Sequence, residues 1–288
     1  MHKHPEQKVH APDNLSDLLA SLRQRPESLL MSGGTWIGSS SLMRIHMHDQ
    51  DIFWTGRIEE LKRIFRSDRF LEIGASASFD RIIHLDGHLI PQGLRQALLN
   101  TVPTPVRSLA TLGGNLCIPD ESLNLLPFMS LWDARLELRK QGVSRYLPAT
   151  EFINAEHELN LDPGEILVRI RVPLGRWNMQ AYERLAADPR HNVPSQAFCG
   201  LVRIHRNLIE EFRVARIFSN YRWHANEQID AQMIGQKLPI AEKAMQHWID
   251  DSLKSLHETH DSVHQLVLNR FRTLSLRFAR SIRPDYTE

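Results

Sequence analysis

Apolar residues recur at helical spacing at Leu15, Leu18, Leu19 and Leu22. They follow Asn14, whose short polar side chain suits a helix N-cap, so the pattern predicts a helix ending before Pro26. The apolar run 28–31 is strand-like until it meets Gly33 and Gly34. Met43, Ile45 and Met47 alternate with Arg44, His46 and His48, the period of a half-buried strand. Segments 61–66 and 70–73 flank Ser67 and Asp68 and predict a hairpin that Gly74 ends. A helix is expected over 92–100, behind Pro91, and a second hairpin over 134–139 and 143–147, turning at Gln141 and Gly142. Ile166, Val168, Ile170 and Val172 alternate strictly up to Pro173, which closes that strand.

After about residue 174 the pattern changes. Strands at 201–205 and 212–218 precede long helical patterns at 240–253 and 263–282. Strands and helices are mixed rather than arranged in repeating βαβ units, so the expected class is α+β, with a boundary near Gly175 giving domains 1–175 and 176–288. The 288 residues allow about two domains, and 42% hydrophobic with 24% charged residues suits a buried core rather than a disordered chain. Lys+Arg (35) and Asp+Glu (34) nearly balance, which argues against a dedicated nucleic-acid binder. No apolar run reaches the roughly 18 residues of a membrane span, and the N-terminal residues lack the apolar core of a signal peptide. A soluble, cytoplasmic protein is expected. Its two cysteines, Cys117 and Cys199, cannot alone hold an iron–sulfur cluster.

Two glycine pairs carry the chemistry: Met31-Ser32-Gly33-Gly34-Thr35-Trp36-Ile37-Gly38 and Ala110-Thr111-Leu112-Gly113-Gly114-Asn115. Glycine lets backbone N–H groups approach an anion with no Cβ in the way, and successive N–H groups form a concave nest for phosphate oxygens. Two such turns facing one another can clamp a diphosphate; each alone reads first as an ordinary tight turn. Neither has the Gly-Lys-Ser/Thr ending of a phosphate loop nor the three-glycine dinucleotide fingerprint.

The second pair sits in a longer arrangement: Arg107, Ser108, Ala110, Thr111, Gly113, Gly114 and Asn115, then Pro127, Asp133 and Ala134. With the first loop, the Ile-Gly-Ala at 73–75 and the Gly-Glu-Ile-Leu at 164–167, this ordered set resembles the flavin-binding subunit of the molybdenum hydroxylases, the xanthine dehydrogenase and carbon monoxide dehydrogenase family. The resemblance implies a two-lobed FAD-binding domain of the PCMH type followed by a smaller α/β C-terminal domain. It implies that Leu30, Met31, Ser32, Gly33, Gly34, Thr35, Trp36 and Ile37, together with Thr111, Gly113 and Gly114, hold the diphosphate and adjacent oxygens of FAD. Asn115 would order the second loop. Thr101, Asn124 and Leu167 would lie beside the adenosine or the flavin ring. The implied function is electron transfer from iron–sulfur clusters on a small partner subunit, in a complex whose large subunit holds the molybdenum cofactor, through FAD to NAD or another acceptor. No catalytic side chain and no metal ligand are nominated.

The sequence departs from the family at three places. Asn124 stands where an Asp is common, Trp36 replaces a small acidic or polar residue, and Arg184, Asp188 and Asn192 replace a spaced Lys, Arg and Asp. These departures motivate an alternative, a flavin-free structural or assembly subunit of the same complex; a free-standing flavin oxidase is a third reading. His257, His260 and His264 fall on one helical face, where a solvated face is the ordinary reading and a zinc site the sharper one. Arg270, Arg272, Arg277, Arg280 and Arg283 make the last helix basic beside the stripe Leu266, Phe271, Leu274 and Phe278; docking by the stripe is expected, with the arginines solvated or facing an acidic partner. Tyr221, Arg222 and Trp223 read as a core or interface cluster, and Cys117 as a buried inert thiol.

Overall fold

The computed structural model describes residues 8–39, 50–118, 125–154, 158–175, 177–191, 193, 195–218, 222–260 and 263–284. Asn14 opens the first helix, α1 (Leu15–Gln24): its side-chain oxygen accepts the Asp17 N–H at 2.9 Å, satisfying a donor that the first turn leaves without an intrahelical partner. Strands β1 (Val9–His10), β2 (Leu29–Met31) and β3 (Ile52–Trp54) form a parallel sheet with β3 in the middle. The strand expected around Met43, Ile45 and Met47 lies outside the described residues.

A five-stranded antiparallel sheet follows the order β4-β5-β8-β6-β7, from β4 (Ile64–Arg66), β5 (Phe70–Gly74), β6 (Arg135–Lys140), β7 (Val143–Pro148) and β8 (Ile166–Pro173). Both expected hairpins are present. The first strand starts later than expected, because residues Glu59–Lys62 wind into a 3₁₀ turn that puts Leu61 into the core beside Leu15, Leu18, Leu22, Phe53 and Ile58. β8 is the middle strand: Ile166, Val168, Ile170 and Val172 are buried, while Arg169 and Arg171 on the opposite face each pair with Glu72 at 2.7 Å. Around this sheet lie short helices that helical periodicity could not reveal: α2 (Thr35–Ser39), α3 (Phe79–Ile83), α5 (Thr104–Arg107), α6 (Leu112–Leu116) and α7 (Leu126–Leu131). The expected helix behind Pro91 is α4 (Gln92–Thr101).

A second compact unit takes in the chain from Gly175 onward together with Gln92–Asn100. Its sheet, order β12-β11-β10-β9, is antiparallel throughout and built from β9 (Met179–Leu185), β10 (Gln196–His205), β11 (Leu208–Phe218) and β12 (Arg222–His224). β10 is longer than the sequence pattern indicates because Phe198, Cys199, Leu201 and Val202 are all buried; a strand covered on both faces shows no alternation. Helices α8 (Glu227–Asp230), α9 (Glu242–Thr259) and α10 (Gln265–Ser281) complete the unit. Its core joins Phe198, Phe212 and Val214 of the sheet to Trp248 and Leu256 of α9 and Phe271 and Phe278 of α10. The boundary expected at 175 leaves α4 with the first unit. By its contacts most of α4 goes with the second, where the Gly93 N–H bonds the Gln180 side chain at 2.8 Å.

Candidate functional site

The parallel sheet delivers the first glycine turn. The Met31 carbonyl accepts the Thr55 N–H at 2.9 Å, and the next carbonyl, of Ser32, accepts the indole N–H of Trp54 at 3.1 Å. The chain then turns at Gly34, whose φ of 66° favours glycine, and enters α2. At Gly33 two backbones meet: a Cβ there would lie 1.7 Å from the Leu109 carbonyl oxygen. That approach sets the first turn against the segment leading into the second.

The second turn is the start of α6. Thr111 caps it, its Oγ1 accepting the Gly114 N–H at 3.2 Å. The Leu112 and Gly113 N–H groups bond the carbonyls of Ala77 and Ala75, and the Asn115 N–H bonds the Thr111 carbonyl. Gly113 is glycine for packing, since a Cβ would sit 2.5 Å from that of Ala75. The Asn115 side-chain oxygen accepts the Leu125 N–H at 2.9 Å and so ties α6 to the start of α7. Replacing Asn115 with Ala leaves that buried donor without its acceptor; a loss of about 1–3 kcal/mol in urea unfolding is expected.

The two turns therefore differ. The N–H groups of Gly33, Gly34 and Thr35 have no acceptor among the described residues, whereas those of Leu112, Gly113, Gly114 and Asn115 are all bonded within the protein. The expectation of two matching amide nests is corrected for the second turn, because its donors are taken by the Thr111 cap and by the Ala75 and Ala77 carbonyls.

A cleft of about 600 Å³ is lined from the first turn by Leu30, Ser32, Gly33, Gly34, Thr35, Trp36 and Ile37, and from the second by Thr111, Gly114 and Asn115. Four other candidates do not line it. Met31 has its sulfur near Gly34, Gly113 packs behind the turn, Leu167 is buried opposite Leu138 in the sheet, and Thr101 is buried at the end of α4. Asn124 lies outside the described residues. Sequence reasoning missed another part of the cleft wall, Leu159, Leu161, Asp162, Pro163, Gly164 and Glu165. Its signal is the Asp-Pro-Gly-Glu turn before β8, part of which enters the family resemblance without being assigned to the site. Burial alone would raise the Glu165 carboxyl. Two Arg145 hydrogen bonds, both 2.8 Å, and the Asp162 N–H hold it below the usual carboxylate range. Cys117 also lines the cleft; burial pushes its thiol up to about 12, so it stays neutral.

The remaining candidate chemistry is accounted for differently. His257 is exposed on α9, His260 packs its ring against Phe218, and His264 caps α10 by accepting the Leu266 N–H. Among the described residues no group of three or more His, Cys, Asp or Glu is placed to hold a metal ion. The α10 arginines pair with acids of their own unit: Arg270 with Asp188, Arg272 with Asp250, Arg277 with Glu183 and Arg280 with Glu242. Phe271, Leu274 and Phe278 are buried beneath them. Arg184 lies on β9 opposite Ala197. Asn192, Tyr221 and the side chains of Arg222 and Trp223 lie outside the described residues. Among the described residues no helix is long and apolar enough to cross a membrane.

Amides with no acceptor among the described residues, beside apolar walls in a cleft of this volume, have the chemistry to suit an anionic, ring-bearing ligand. Residues 5–175 match the family described as the FAD binding domain in molybdopterin dehydrogenase, and the chain belongs to that family. Its cofactor is FAD, and the residues present fit one: the N–H groups of Gly33, Gly34 and Thr35, residues that line the cleft, have no acceptor among the described residues. The chain is 28% identical over 171 residues to the putative xanthine dehydrogenase FAD-binding subunit XdhB of Escherichia coli K12, covering 57% of this chain and 56% of that protein. It is 29% identical over 196 residues to aldehyde oxidase 2 of Cavia porcellus, covering 64% of this chain and 15% of that protein. The chain thus spans only part of the relatives it matches. In fold it is similar to a chain of quinoline 2-oxidoreductase from Pseudomonas putida 86, with a TM-score of 0.81, 19% identity and 96% of each chain covered. A chain of carbon monoxide dehydrogenase from Hydrogenophaga pseudoflava gives 0.80 and 20%, covering 96% of this chain and 95% of that one.

Proposed function

We propose that this chain is the FAD-binding, electron-transferring subunit of a multisubunit molybdenum hydroxylase of the xanthine dehydrogenase type, an oxidoreductase. The observation that carries the reading is the set of Gly33, Gly34 and Thr35 amides, without an acceptor among the described residues and in the cleft wall within the family's matched region. Those N–H groups bind the diphosphate. Thr111 and Asn115 fix the second turn beside it, and Trp36 and Ile37 form wall against which a ring packs. Gly113 supports the turn from behind rather than touching the ligand. FAD, when bound, accepts and releases electrons singly or in pairs. The protein's part is to bind and orient it, so no general base or nucleophile is assigned.

With Cys117 and Cys199 as its only cysteines, the chain leaves the iron–sulfur clusters to a small partner subunit and the molybdenum cofactor to a large one. The acceptor is NAD or another oxidant. The purified complex is expected to carry stoichiometric FAD, seen as its visible absorption band and recovered on denaturation. A folded complex that is active and contains no flavin would overturn the reading. It would favour instead a structural or assembly subunit, the alternative that Trp36 in the cleft wall supports.

A further inference from the structure

We propose that Trp54 is a positioning residue for the diphosphate of the cofactor: its indole N–H holds the Ser32 carbonyl and thereby aims the Gly33 N–H. The proposal rests on the reading that this cleft takes FAD.

The Ser32 carbonyl and the Gly33 N–H belong to one planar trans peptide unit, so they point in opposite directions and turn together. The 3.1 Å bond from Trp54 Nε1 to that carbonyl consequently fixes the direction of the N–H. One residue earlier, the Thr55 N–H holds the Met31 carbonyl at 2.9 Å, so two consecutive peptide planes are pinned by β3 and the residue after it. A pin is needed because Gly33 and Gly34 have little intrinsic preference for one peptide orientation. A flipped Ser32–Gly33 peptide would turn a carbonyl oxygen, not a donor, toward an anion.

The indole is itself held in place. A Cβ at Gly56 would lie 2.1 Å from Trp54 Cζ2, so the ring occupies the space that only a glycine leaves. Gly56 has no other evident reason to be glycine, since its φ is not in the left-handed region. Trp54 does not line the cleft. Its influence on a ligand passes through Ser32, which does line it, and not through direct contact.

The test is Trp54→Phe in the full chain, which keeps an aromatic ring and removes the N–H. Flavin-stripped protein is titrated with FAD, ADP and adenosine by calorimetry, and thermal unfolding is followed in parallel. The expected result is weakening of FAD and ADP by about tenfold, the size of one hydrogen bond, with adenosine affinity nearly unchanged and the unfolding midpoint lowered only by the few degrees that one lost hydrogen bond costs. Native FAD affinity in the variant would overturn the proposal, as would adenosine weakening as much as ADP, which would indicate general loosening. If Trp54→Phe fails to fold, Gly56→Ala carries the same test, because its methyl displaces the indole while the N–H remains on the chain. Wild-type protein that binds neither FAD nor ADP would instead sink the reading of the site beneath the proposal, and the proposal with it.

Discussion

Gly33→Ala is expected to yield a protein purified almost free of FAD and less stable in urea by about 3 kcal/mol, the upper part of the usual cost of overpacking. The added methyl would be placed 1.7 Å from the Leu109 carbonyl oxygen, far inside contact distance. That carbonyl cannot easily retreat. The Leu109 and Ala110 N–H groups both bond the Val106 carbonyl, at 3.1 and 2.8 Å, and the Ala110 carbonyl accepts the Phe79 N–H at 2.8 Å. The first turn must move instead, and with it the three amides assigned to the diphosphate. Gly38→Ala is the control, since a Cβ there meets nothing within 4 Å. Flavin content by absorbance and urea midpoints of the two variants check the expectation; equal flavin content would remove Gly33 from the site.

Asp230→Ala is expected to destabilise the second unit by about 3–5 kcal/mol, since it leaves two buried N–H donors without an acceptor, at about 1–3 kcal/mol each, and takes away the opposite charge near the buried Arg216. Asp230 accepts the Val214 N–H at 2.8 Å and the Trp248 indole N–H at 3.0 Å, and is the opposite charge near Arg216. Arg216 is buried, bonds Ser275 Oγ at 3.0 Å and lies over the Trp248 ring. Burial pushes the Asp230 carboxyl up to about 6 despite Arg216, and pushes the Arg216 guanidinium down to about 10, still charged at neutral pH. His224, opposite Arg216 in the sheet, is driven down to about 4 by burial and then by the charges of Arg216 and His260.

The two shifts act oppositely on stability. Asp230, raised from 3.8, contributes stability at acid pH that is lost as pH rises through about 6. His224, lowered from 6.5, contributes stability above 6.5 that is lost as pH falls through about 4. Between pH 4 and 6 they largely cancel in the wild type. Asp230→Asn leaves the histidine alone, so its urea midpoint is expected to fall as pH drops from 6.5 to 4 while the wild-type midpoint changes little. Parallel curves for the two proteins would refute the assignment.

Much of the fold could be read from the chain because its signals were periodic and local. The leucine stripe of α1, the glycine-turned hairpin β6–β7 and the alternation of β8 each declare one face and one end. β10 was read short because burial on both faces erases alternation, and β9, with only Tyr182 buried, gives no apolar pattern at all. The cleft was half legible. Gly33 and Gly34 were found because unusual backbone needs leave glycine behind. The different use of Gly113 was not, because whether an amide is already bonded depends on Ala75 and Ala77, distant in sequence. Likewise Trp54 shows nothing beside its neighbours until β2 and β3 pair. The α10 arginines suggested an outside partner only because their acids, on β9, α9 and the Asp188 loop, come from elsewhere in the unit.

The route of the chain through α4 carries a practical consequence. Residues 92–100 belong with the C-terminal unit yet are encoded between two stretches of the N-terminal one. A fragment begun at Gly175 would therefore lack one of its own helices and would leave the Gln180 side chain without the Gly93 N–H. Anyone cutting the gene into halves for separate expression should instead graft residues 92–100 onto the later piece.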